Sequence, residues 1–167
     1  MVLLCDSFNE TLCNGYNVGW IAPGRFQAEV EFLKFVTTDS WTALPQRAIA
    51  DYLAHGGYEH HLRKLRRFFA GQVRRMTEAV VHYFPDGTKV TRPAGGQLLW
   101  VELPGNIDSL ELYRRALQHG IAIAPGPIFS AKQRCRNFIR LNCGIPWCDR
   151  VENAMQTLCR LIHGLNG

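Results

Sequence analysis

Between residues 59 and 83, Leu62, Leu65, Phe69, Val73, Met76, Val80 and Tyr83 recur at spacings of three and four. That recurrence is one apolar stripe on a helix, so a long helix is predicted from about Glu59 to Tyr83. Upstream, Phe26, Val30, Leu33 and Val36 predict a helix over about 25–36, and a second covers 44–53, closed by Gly56-Gly57. Val2-Leu3-Leu4-Cys5 is a short strand candidate ended by Asp6-Ser7, and 17–22 is another, stopped by Pro23-Gly24. Pro85-Asp86-Gly87 marks a turn. Beyond it, 89–91, 97–103, 121–124 and 137–142 are strand-like, with Pro125-Gly126-Pro127 as a loop. Helices are predicted over 109–119 and around Val151, Ala154, Leu158, Leu161 and Ile162.

Strands and helices alternate around a helical middle, which predicts an α/β fold. A boundary is expected inside the long helix, near residue 65. The part before it has only two strands, and an isolated strand pair is marginal in water, so that part is expected to belong to a larger sheet.

At 167 residues, with 47% hydrophobic and 20% charged residues, the chain has globular composition. No apolar run reaches the ~18 residues of a membrane span, and the N-terminus lacks a basic signal region. A cytoplasmic location is expected. Much of the net charge of +5 gathers in 60–67 and at Arg74-Arg75, on the polar faces of the long helix. A solvated helix face is one reading and a polyanion contact the other, with no helix-turn-helix, zinc finger or RNA-binding motif beside it.

Cys5, Cys13, Cys135, Cys143, Cys148 and Cys159 form no CxxC pair and read as reduced structural thiols. No HxxxH or HExxH occurs. His60 and His61 are adjacent on a helix and point roughly 100° apart, so no metal site is expected.

The segment richest in chemistry is residues 7–25, SFNETLCNGYNVGWIAPGR. It resembles the cofactor-lysine segment of class I/II aminotransferases, and above all the aminotransferase-like region of MocR-type regulators of the GntR family, whose pattern is SFSKTLAPGxRxGWxxPG. PAGGQLLWVELP (93–104), IAPGPIFS (123–130) and NFIRLNCGIP (137–146) resemble the C-terminal domain of the same family, in the same order. The resemblance covers essentially the whole chain. It implies a fold like that of transferases dependent on pyridoxal phosphate (PLP): 1–65 as a remnant of the large domain and 66–167 as the small domain.

PLP catalysis needs a lysine amine for the Schiff base, a phosphate cradle and a cation for the substrate carboxylate. The resemblance places that lysine at Glu10, and a carboxylate cannot form an imine with an aldehyde. Lys34, Lys64, Lys89 and Lys132 all lie outside this segment. The phosphate-binding arginine matches Asn17, which supplies neither the charge nor the fork of a guanidinium. The serine before the lysine is Asn9, whereas Ser7, another phosphate-binding position, is retained. Arg140 matches the arginine that grips the substrate's α-carboxylate, its alternative being a local ion pair on a half-exposed strand. Gly15, Gly19, Gly95, Gly96 and Gly126 read as turn-forming glycines, and Trp20 and Trp100 as core residues of apolar strands.

Three functional readings follow. The chain is a non-catalytic aminotransferase-like part of a regulator, acting by dimerisation or by binding an amino-acid-like ligand without PLP. Alternatively, it is part of a PLP enzyme or PLP sensor completed by another chain. A third reading is a basic module for nucleic acid. The resemblance places the remaining PLP-contacting residues and a DNA-binding winged helix before Met1, so a fragment of a longer protein is expected. Self-association is expected to cover the sheet edge and apolar surface of residues 1–40.

Overall fold

A Cβ on Gly19 would lie only 3.1 Å from the backbone oxygen of Asp6, so the absence of a side chain there lets two strands close on each other. These are β1 (Leu4–Ser7) and β2 (Gly19–Ala22), paired antiparallel with Ser7 opposite Gly19 and Leu4 opposite Ala22. The computed structural model describes residues 2–39 and 42–166, in two compact units, Met1–Leu65 and Arg66–Gly167.

In the first unit β2 leads through one turn of 3-10 helix into α1 (Gln27–Thr37), followed by α2 (Ala43–Ala54). Gly56, at φ 72°, ends α2 in the left-handed region, where glycine carries no penalty. α3 (Gly57–Tyr83) starts at once and continues into the second unit. Ile49 is the one fully buried hydrophobic side chain among the described residues of the first unit.

The second unit holds a four-stranded antiparallel sheet: β3 (Lys89–Val90), β4 (Leu98–Glu102), β5 (Ala124–Pro125) and β6 (Phe138–Asn142), in the order β3-β4-β6-β5. Two further helices complete it, α4 (Ser109–Gln118) and α5 (Asp149–Asn166). Alternation along β4 and β6 sends Leu99, Val101, Ile139 and Leu141 to one face. There they form a core with Met76 and Val80 of α3, Leu112 and Ala116 of α4, and Met155, Leu158 and Ile162 of α5. Trp100, Phe138 and Arg140 point to the other face, half-buried.

Asp108 caps α4, its carboxylate accepting from the backbone N–H of Leu110 at 2.8 Å. Gly120, at φ 71°, ends that helix, and the N–H of Ile121 returns to the carbonyl of Ala116 at 3.0 Å. This closure explains one departure from expectation. Residues 121–123 were expected to open a strand, but Ile121 spends its donor on the helix end, and the strand is only Ala124–Pro125.

β1 also differs, running from Leu4 through Asp6 to Ser7 rather than over 2–5. Cross-strand hydrogen bonds set its limits, because with Leu4, Cys5 and Asp6 all exposed no buried face penalises a polar residue. Trp20 and Trp100 are not core residues. Trp20 is 40% exposed on a ribbon with no buried residue, and Trp100 occupies the outward position of β4, opposite in parity to Leu99 and Val101.

Candidate functional site

The segment from the end of β1 to the start of β2 carries four positions singled out by the sequence. Ser7 ends the strand, with its N–H donated to the Asp6 carboxylate at 2.7 Å. Phe8 donates its backbone N–H to Val18 at 2.9 Å, and Leu12 donates to Phe8 at 2.8 Å, so residues 8–12 form a closed turn beside β2. Asn9 and Glu10 lie inside this turn, Glu10 exposed, while Asn17 stands on the return segment. Asn17 adopts φ 49° and ψ 41°, the left-handed region that asparagine tolerates better than most residues. The fold therefore brings Ser7, Asn9 and Glu10 together, with Asn17 next to Val18, which anchors the turn.

The first turns of α3 hold this loop in place. Tyr58 donates its hydroxyl to Thr11 Oγ1 at 3.1 Å, and His61 Nε2 meets the Thr11 carbonyl at 2.7 Å. The rings of Phe8 and Tyr58 meet edge-to-face at 5.9 Å. Sequence reasoning missed all three supports, because α3 and the turn are separated by some 45 residues and no local signal connects them. Asn9 Oδ1 is buried and accepts no hydrogen bond within the chain.

These residues do not fit a covalently held PLP. The resemblance puts the Schiff-base amine at Glu10, whose carboxylate cannot supply it. Asn17 brings no cation for a phosphate, and Glu10 would repel one.

Arg140 belongs to the second unit, in the middle of β6, with Trp100 of β4 and Ala124 of β5 as its cross-strand partners. Its guanidinium lies 4.7 Å from the centre of the Phe129 ring. Phe129 meets Trp100 edge-to-face at 5.5 Å, and Trp100 stacks on Phe138 at 5.5 Å and 25°. Among the described residues Arg140 makes no ion pair, so the local ion pair considered from sequence is absent there. Glu102, on the same face, is bound instead to Lys89 Nζ at 3.2 Å.

No helix of the described residues is long and apolar enough to cross a membrane. No group of three His, Cys, Asp or Glu among them is placed to hold a metal ion.

No family model matches the chain. The HTH-type transcriptional regulator YdcR of Escherichia coli K12 is 38% identical over 162 residues, which are 97% of this chain and 35% of that protein. A second regulator from the same organism, YjiR, is 33% identical over 97% of this chain and 34% of its own length. Among solved structures, Pyrococcus horikoshii kynurenine aminotransferase superposes with a TM-score of 0.87 at 29% identity, over 97% of this chain and 40% of that enzyme. This chain has the fold of the corresponding part of PLP-dependent aminotransferases. The aminotransferase-like chain spans about a third of the length of the curated regulators it matches. Aromatic-amino-acid aminotransferase 1 of Thermococcus litoralis is also similar, at 33% identity over 96% of the chain and 39% of the enzyme. The aminotransferase-like chain thus resembles regulators and enzymes along nearly its whole length.

Proposed function

We propose that this chain is the aminotransferase-like part of a cytoplasmic HTH-type regulator, with no transaminase activity of its own. One observation carries the reading: the turn after β1 holds Glu10, to which the resemblance of residues 7–25 assigns the place of the Schiff-base lysine. Asn17, which the same resemblance matches to the phosphate arginine, points the same way. What remains is a scaffold able to bind an amino-acid-like carboxylate at Arg140 and to self-associate. Self-association is supported by large apolar side chains exposed in the first unit, among them Phe35 and Leu44, each 80% exposed.

The test is visible absorption of the purified chain titrated with PLP, then borohydride reduction and mass spectrometry. No imine band and no covalent adduct are expected. A saturable band with an adduct on a single lysine would overturn the reading and make the chain a PLP protein. Gel filtration at rising concentration tests self-association, a persistent monomer being the result against it.

The competing reading, a PLP enzyme completed by another chain, draws its support from the retained Arg140 and from the similarity to aminotransferases. The same titration, run with added aminotransferase partner chains, separates the two.

A further inference from the structure

A cavity of about 860 Å³ opens beside α5 in the second unit. Met76 of α3, Ile123, Leu141 of β6, and Met155 and Leu158 of α5 line it, and all five are buried. Arg150, Asn153 and His119 line it as well and are exposed, so an apolar interior ends at a polar edge. A small-molecule site combines these same features at this size. Met76 and Met155 are unbranched, and their thioethers adapt to irregular apolar shapes. No Asp or Glu is among the lining residues, and Arg150 brings the one Arg or Lys charge. It makes no ion pair among the described residues, and no acid on α5 stands three or four positions from it. Asn153, three positions on, shares its helix face, which sets a carboxamide beside the guanidinium.

We propose that this cavity binds a single-chain aliphatic carboxylate, with the alkyl chain in the interior and the charge at Arg150. The guanidinium fork suits the two oxygens of a carboxylate, and Asn153 supplies a further N–H donor. The alkyl chain leaves water for the surface of Met76, Leu141, Met155 and Leu158. Charge identifies the occupant. A cationic amphiphile meets Arg150 with no lining acid to offset it, and a neutral chain gains the burial alone. The inference uses only the second unit and is independent of what Glu10 does to PLP chemistry.

The experiment is isothermal titration calorimetry of the 167-residue chain with octanoate, decanoate and decanol, repeated on Arg150→Gln and Ala154→Phe. Arg150 is exposed, so its substitution removes only the charge, while Ala154 lines the cavity half-buried and its substitution fills space. Far-UV circular dichroism establishes that each variant is folded. Decanoate is expected to saturate a single site per chain and to bind about tenfold more tightly than octanoate, the worth of two buried methylenes. Arg150→Gln is expected to weaken decanoate by about threefold to fivefold and to leave decanol unchanged. Ala154→Phe is expected to weaken both. No saturable binding, equal affinities for octanoate and decanoate, or parent-like decanoate binding by either folded variant would overturn the proposal. A decanoate affinity that falls as chain concentration rises would overturn it too, because a second copy of the chain then fills the cavity. If Ala154→Phe does not fold, the chain-length series and Arg150→Gln decide the matter.

Discussion

Tyr83, the last residue of α3, donates its hydroxyl to the carboxylate of Glu152 in α5. The other oxygen of that carboxylate accepts the indole N–H of Trp147 at 3.0 Å. One half-buried acid therefore joins the end of α3, the loop before α5 and the first turns of α5. Glu152→Ala would leave two donors without their acceptor. A loss of about 1–3 kcal/mol is expected in urea unfolding. Glu152→Gln, which keeps one acceptor oxygen, should lose less. A change below about 0.5 kcal/mol for the alanine variant would mean that water replaces the carboxylate at no net cost.

Gly126 is buried where the backbone has no room for a methyl group. A Cβ there would lie 2.2 Å from the carbonyl oxygen of Cys135 and 3.0 Å from Cβ of Phe138. Cys135 already sits at φ 61°, in the left-handed region, so its backbone has little freedom to give way. Gly126→Ala is expected to cost about 1–3 kcal/mol or more in thermal or urea denaturation. Gly105→Ala, where nothing lies within 4 Å, should stay within about 0.5 kcal/mol of the parent. Equal melting of the two variants would show that the 126–138 contact can relax.

Glu111 in α4 has its pKa lowered, first by the hydrogen bond from Arg115 at 2.9 Å and further by Arg114. A carboxylate more acidic in the folded state stabilises the fold fully above its unfolded value, near 4.5, and that contribution disappears as pH falls through the folded value. The helix is therefore expected to lose stability between pH 4.5 and more acidic conditions. Parallel acid titrations of the parent and Glu111→Gln, followed by circular dichroism, check this. If the two curves coincide below pH 4.5, Glu111 contributes nothing to acid sensitivity.

Burial pushes the Cys143 thiol up to about 11. The thiolate is the reactive form, so Cys143 should resist alkylation near pH 8 while the exposed Cys5, Cys13, Cys135 and Cys148 react. Above pH 9 the unfolded thiol ionises and the folded one does not, so stability falls from about pH 9 to 11 through this group. Iodoacetamide labelling with peptide mass spectrometry distinguishes the sites. Labelling of Cys143 in the native chain at the rate of Cys148 would contradict the assignment.

Much of the fold was legible because local rules and tertiary packing agree in the second unit. The stripe containing Val73, Met76, Val80 and Tyr83 predicts both the helix and its core side, and Met76 and Val80 are indeed buried. The alternation of Leu99 and Val101 likewise marks β4. Reasoning failed where one backbone group had two possible partners. Ile121 looks like a strand residue, yet its N–H closes α4. Trp100 was misread because an aromatic residue in an apolar run suggests burial, while only parity with Leu99 reveals that it faces outward. Ser7, Asn9, Glu10 and Asn17 were singled out because they share one short segment. Tyr58, His61 and Phe129 were not, because each reaches its partner through the fold and not through the sequence.

Ile49 stands alone as a fully buried hydrophobic side chain among the described residues of the first unit. The self-association proposed above would add to that burial, and under it the melting point of the first unit rises with protein concentration where that of the second unit stays constant.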